Sequence, residues 1–216
     1  MTPRPWAVGT HEERWQGYLI APGSEVLRNR LGATTLDGLR DAENDLVEAR
    51  LLELRSAPTL VARTYDLAHL CALHRHLFQD LYDWAGEPRT VGIVKGEGES
   101  FAPPLSIGIP AGHVAQRIDE RDLLRHVTPG DLPGEVAYLY DYLNFAHPFR
   151  DGNGRTQREF FAQLLAESGH GLDWESVVMT ELHDACHRAR NDGDLAPLYG
   201  IFGRIITEEP GYPRSR

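Results

Sequence analysis

The stretch His147-Pro148-Phe149-Arg150-Asp151-Gly152-Asn153-Gly154-Arg155-Thr156-Gln157-Arg158 concentrates side chains that can do chemistry. Gly152-Asn153-Gly154 offers backbone free to take positive φ, so that successive N–H groups can converge on an anion. A helix starting at about Arg155 would point its positive dipole end at the same spot. Arg155 and Arg158 are three apart, which puts both guanidinium forks on one face of the first turn, where they can grip phosphate oxygens. Asp151 supplies a hard carboxylate beside that anion seat, the donor Mg²⁺ takes when phosphates fill its other positions. His147, pinned by Pro148, is the group here whose ordinary pKa lies near 7, and so the candidate general base. Together these are parts for transferring a piece of a nucleotide. Gly-Asn-Gly alone would be a turn. Read as a Ca²⁺ loop, the string puts Ala162 or Phe160 where a Glu is needed. The phosphate-loop pattern G-x-x-x-x-G-K-[ST] and a strand-borne G-x-G-x-x-G are both absent.

Two helical patterns must hold this string in place. One opens at Leu132-Pro133-Gly134-Glu135 and runs through Val136, Leu139, Tyr140 and Leu143; the other covers 155–168. Spacings of three and four predict further helices over 36–55, over 111–126, over 174–191 and over 195–207. Another, capped by Asp66, carries Leu67, Leu70, Leu73, Leu77 and Leu81 and closes at Ala85-Gly86. The exception is Arg89-Thr90-Val91-Gly92-Ile93-Val94, a β-branched run followed by turn residues 95–100, which reads as a hairpin or flap. The expected architecture is all-α with one small β excursion. It forms a single structural domain in which residues 1–60 are a helical extension packed on a core of 61–210.

With 216 residues, 41% of them apolar and 25% charged, the chain can bury a core without cross-links. Its net charge of −10 argues against direct nucleic-acid binding, which leaves a basic footprint. Cys71 and Cys186 are too few for a disulfide framework. No run is long enough to span a membrane, and the start lacks a signal-peptide core. A cytoplasmic protein without membrane contact is expected. Lys95 is the one lysine in the chain, so any lysine-dependent phosphate contact falls to it.

The string His147 to Arg158 resembles, at every position, the Fic family signature H-P-F-x-[D/E]-G-N-G-R-x-x-R. The segment from Tyr18 to Gly32 is similar to the N-terminal part of small bacterial Fic proteins, and His74 to Val91 resembles the helix that leads into their flap. The resemblance implies the Fic fold, a helical bundle with one β-hairpin flap. It also implies a protein adenylyltransferase (an AMPylator) that moves AMP from ATP to a Tyr, Ser or Thr hydroxyl of a target protein. On that analogy His147 is the base and Asp151 holds Mg²⁺ between the α- and β-phosphates. Gly152, Asn153 and Gly154 donate N–H groups to the phosphates, and Arg155 and Arg158 take the β and γ groups. The flap, about 90–101 with Thr90, Val91, Gly92, Ile93, Val94 and Lys95, pairs its edge with an extended target segment. Lys95 near its tip is a candidate nucleotide contact. Gly154 stands where a phosphorylating branch carries Lys, which favours AMP transfer over phosphoryl transfer. Transfer of UMP, phosphocholine or another phosphate-containing moiety, and a catalytically silent nucleotide-binding module, are the alternatives.

Many relatives carry an inhibitory helix with the pattern [S/T]-x-x-x-E-[G/N]. Here no Ser or Thr has Glu four residues later, and before Glu43-Asn44 the required place is held by Leu39. The resemblance therefore implies a toxin whose inhibitor is a separate small antitoxin, lending its Glu to Arg158 in trans. A type II DNA topoisomerase subunit is the target class that small bacterial toxins of this sort suggest. His183-Asp184-Ala185-Cys186-His187 has the spacing of a zinc-protease H-E-x-x-H, but Asp is a methylene too short and no third ligand is evident. It reads as helix surface. His69, His74 and His76 read as structural or exposed; Tyr138, Tyr140, Tyr142, Phe145, Phe160 and Phe161 read as core.

Overall fold

Residues with a side-chain oxygen open the early helices. Thr10 accepts from Glu13 N while Glu13 reaches back to Thr10, a full capping box that starts α1 (His11–Gly17). Thr35 accepts from Gly38 N at the head of α2 (Leu36–Ser56), and Asp66 accepts from His69 N at the head of α3 (Leu67–Phe78). The computed structural model describes residues 4–95 and 99–214, without the side chains of 95, 99 and 100. A short hairpin of β1 (Val94–Lys95) and β2 (Glu99–Ser100) follows, paired antiparallel as Val94 with Ser100. Then come α4 (Gly108–Glu120), α5 (Leu132–Ala146), α6 (Asn153–Glu167), β3 (Gly171–Leu172), α7 (Met179–Asp192), α8 (Ala196–Ile205) and β4 (Ile206–Thr207). The architecture is helical, as the spacing predicts.

Four boundaries differ from the sequence expectation: the helix expected over 195–207 stops at Ile205 because 206–207 pair as β4, and three others differ for local reasons. α3 stops at Phe78, because the N–H groups of Leu81 and Tyr82 both turn back onto the Phe78 carbonyl. That turn still buries Leu81, Tyr82 and Trp84, which is why the apolar stripe seemed to continue. α4 ends at Glu120 because Asp122, Leu123 and Leu124 take φ of 47°, 55° and 63°, a left-handed turn that drives Leu124 into the core. Residues 174–176 form a separate 3₁₀ turn ahead of α7. The β3–β4 pair, with Gly171 opposite Thr207, is additional to the expected hairpin.

α5 packs on α4 and α8, α6 on α3 and α5, α7 on α5 and α8, and α2 on α3. One apolar cluster joins Leu39, Val47 and Leu54 of α2 to Leu73 and Leu77 of α3, Leu139 and Leu143 of α5, and Phe160 and Leu164 of α6. Each such side chain contributes about 1.5–3 kcal/mol when fully buried. The N-terminal helices thus share the core of the rest. The far end of α6 is fixed by Glu167, fully buried and paired with Arg63 and Arg125, with the Tyr65 hydroxyl donating at 2.9 Å. Among the described residues no helix is long and apolar enough to cross a membrane. The consequence for chemistry is that α5 and α6, both anchored in the core, present the loop between them at a fixed place.

Candidate active site

α5 ends because His147 adopts φ 39°, ψ 60°, a left-handed cap whose N–H still reaches the Leu143 carbonyl. The bend turns the imidazole out of the helix. Its Nδ1 meets the Asn144 carbonyl at 3.2 Å, and the ring lies on Phe101 with centroids 3.8 Å apart. A carbonyl can only accept, so Nδ1 carries the proton and Nε2 is the basic nitrogen. Arg89, almost wholly buried, donates to the His147 carbonyl at 2.8 Å, to Val91 O at 2.7 Å and to Ala102 O at 2.5 Å. One side chain therefore ties His147 to both stems of the hairpin. Burial pushes the Arg89 pKa down to about 10, which still leaves it charged near neutrality.

The loop beyond is built as tightly. Asn153 accepts from Phe149 N and donates to Phe149 O, both at 2.8 Å, so its side chain braces the loop and only its backbone is available to a ligand. Gly152, at φ 77°, caps α6, and a Cβ there would fall 2.4 Å from Phe78 Cζ. His74 sits between Phe78 and Phe149, donates through Nε2 to the Asp151 carbonyl and accepts the Gly86 N–H on Nδ1. Burial lowers its pKa to about 3, keeping it neutral for that pair of bonds. α6 has no side-chain cap, so its first N–H groups open into the cleft as an anion seat.

Charged groups ring this seat. Asp151 Oδ1 accepts the Gly152 N–H at 2.6 Å and lies 3.9 Å from Arg155 Nη2, while the carboxylate is 48% exposed. One accessible hard oxygen group beside a phosphate seat suits Mg²⁺, which needs one or two carboxylates when phosphates complete its shell. Arg155 pairs with Glu43 of α2 and covers the Phe78 ring at 4.9 Å. Arg158 donates to the Met179 sulfur at 3.8 Å and has no carboxylate partner among the described residues. Burial, reinforced by the nearby Arg155 charge, holds Arg158 below its ordinary pKa. The cleft that collects these groups has a volume of about 1110 Å³, and His147, Asp151, Gly152, Asn153, Gly154, Arg155 and Arg158 all line it.

The flap residues separate into two groups. Thr90 is tied by its hydroxyl to the Trp6 carbonyl and Val91 is fully buried, so both belong to the stem. Gly92 donates its N–H to His11 Nε2 at 3.1 Å. Ile93 and the 64%-exposed Val94 line the cleft. A nucleotide contact by the Lys95 side chain lies outside the described residues. Sequence reasoning missed Glu43, Tyr82 and Phe78, which surround Arg155, and Arg89 and His74, which brace the loop. It also left out α7: Met179, His183 and His187 line the cleft.

Residues 64–165 match the Fic/DOC family. A curated relative from Salmonella typhimurium, "Probable protein adenylyltransferase Fic", is 33% identical over 189 residues, covering 88% of this chain and 92% of its own. The chain belongs to the Fic/DOC family. A second Fic relative, "Protein adenylyltransferase VbhT" of Bartonella schoenbuchensis, is 35% identical over 87% of this chain, which spans 38% of that longer protein. Among solved structures, the Fic domain of a Bartonella effector protein from Bartonella sp. AR 15-3 superposes with a TM-score of 0.80 at 25% identity, covering 93% of this chain and 95% of that one. The Fic match begins at residue 64, yet the wall of the cleft reaches back to Trp15 and Glu43.

Proposed function

We propose that this chain transfers AMP from ATP to a Tyr, Ser or Thr hydroxyl of a target protein. The observation that carries the reading is that one cleft holds an uncapped helix start, two arginines and a histidine whose Nε2 is the basic nitrogen. Nε2 of His147 takes the hydroxyl proton as that oxygen bonds the α-phosphorus. The bond from the α-phosphorus to the bridging oxygen breaks, and pyrophosphate leaves. Arg155 and Arg158 hold the departing β- and γ-phosphates, and the N–H groups of Asn153 and Gly154, joined by that of Gly152 when it leaves Asp151 Oδ1, hold the chain of phosphates in line. Asp151 would hold Mg²⁺, whose contribution is to neutralise charge on the phosphates. The two-stranded flap offers an open edge to an extended target segment, with Ile93 and Val94 at the cleft.

The names of the curated relatives support this reading, and Gly154 leaves the backbone open where a phosphorylating relative would carry Lys. Arg158, without a carboxylate partner among the described residues, suits a small antitoxin that lends it a Glu in trans. The chain would then be the toxin of a two-protein module acting in the cytoplasm, with a type II DNA topoisomerase subunit as its candidate target. The test is incubation with a target-bearing lysate and ATP labelled at either end. Label from the α-phosphate should appear on protein, and His147→Ala should remove at least about 10²-fold of it. Label arriving from the γ-phosphate instead, or full activity of the variant, overturns the reading.

A further inference from the structure

We infer that Glu43 is a positioning residue for Arg155: together with Tyr82 and Phe78 it forms a socket that fixes this guanidinium where the β-phosphate of a nucleotide docks. The inference rests on the AMP-transfer reading and adds to it a part of the site that comes from α2, outside the family-matched residues.

The socket has three sides. Glu43 Oε1 accepts from Arg155 Nη2, and the Glu43 side chain is only 10% exposed. Its other oxygen accepts the Tyr82 hydroxyl at 2.8 Å, and Tyr82 is itself fixed by stacking on Trp84 at 4.3 Å. Phe78 lies beneath the guanidinium, and the same ring fills the space where Gly152 lacks a side chain. Arg155 is thus held on a charge, a face and a turn, and its side chain is still 25% exposed toward the cleft. A guanidinium has five N–H donors in a planar fork, so a pair made through Nη2 leaves others for phosphate. Holding such a group in advance spares the ligand the cost of ordering it.

A carboxylate in a phosphate site could instead compete with the anion. Two observations favour support over competition. Glu43 has both oxygens engaged and is nearly buried, so it does not stand in the open seat. It also makes no pair with Arg158, the other phosphate arginine.

Calorimetric titration with ADP and with AMP separates the outcomes, because AMP lacks the β-phosphate. Glu43→Gln should weaken ADP binding about five- to tenfold, the scale of one charge-assisted contact, and leave AMP within about twofold. Tyr82→Phe keeps the packing ring and should shift ADP in the same direction by about two- to threefold. Added to Arg155→Gln, the Glu43→Gln change should cost ADP nothing further. Equal loss for ADP and AMP would mean a structural role only, and unchanged or tighter ADP binding would mean none or an opposing one. Each overturns the inference. A parent chain that binds neither nucleotide would overturn the AMP-transfer reading instead.

Discussion

The two arginines of α6 stand one turn apart in opposite surroundings. Arg155 faces α2 and α3, where a buried carboxylate, a tyrosine hydroxyl and an aromatic face hold it. Arg158 faces α7, where it is half-buried against a thioether with no counter-charge among the described residues. Burial raises the Glu43 carboxyl above its usual range and Arg155 draws it back down. On the other flank the burial of Arg158 is offset in part by Tyr140 and by no carboxylate among the described residues, and the Arg155 charge adds to it. One charge is part of the folded structure, and the other is held at a cost until an anion arrives. The same motif letter therefore carries two physical roles.

Stability measurements can break or sharpen this contrast. Gly152→Ala should do most damage, since it disturbs the turn from which both flanks start. A Cβ at φ 77° against Phe78 should cost about 3 kcal/mol or more, read as a lower urea midpoint at unchanged slope. Arg155→Met should destabilise the fold by about 1–3 kcal/mol, because it strands the Glu43 carboxylate; the partial exposure of the pair keeps the figure below that of a fully buried one. Arg158→Met should do the reverse, stabilising by about 1 kcal/mol while weakening nucleotide binding. Equal signs for the two arginines would erase the contrast. A separate effect comes from two buried histidines of α3. Burial lowers His74 to about 3 and His69 to about 4, so the folded chain binds fewer protons than the unfolded one, whose histidines titrate near 6.5. Stability should be complete above about pH 6.5 and begin to fall between about 6.5 and 5.5, before most carboxylates titrate. A flat midpoint across that window would mean those rings are not held neutral.

Much of this was legible beforehand. The motif pointed to His147, the Gly152–Gly154 turn, Arg155 and Arg158, which all line one cleft because they lie within one loop and one helical turn. The helices followed from apolar spacing, and α1 could have been read too, since Thr10 and Glu13 make a capping-box pattern. The supports of the site were not legible, for a physical reason. Periodicity tells which face of α2 turns inward, but not which residue that face meets more than a hundred positions later. Glu43 ended an incomplete inhibitory pattern and so drew no role. His74 looked like one histidine among leucines until the fold put it under the Asp151 carbonyl. The end of α3 was hidden because Leu81 stays buried whether reached by a helix or by a turn. The left-handed turn at 122–124 has no glycine to announce it.

The chain before residue 61, expected as a helical extension packed on the core, contributes Trp15 and Glu43 to the cleft and Leu39, Val47 and Leu54 to the shared core. If Glu43 steadies Arg155 as inferred, trimming a gene of this kind to its most recognisable stretch would retain the lettering of the motif and discard the anvil behind one of its two arginines. Between lineages, drift in that leading segment would retune how firmly the polyphosphate is seated while every signature residue stayed untouched.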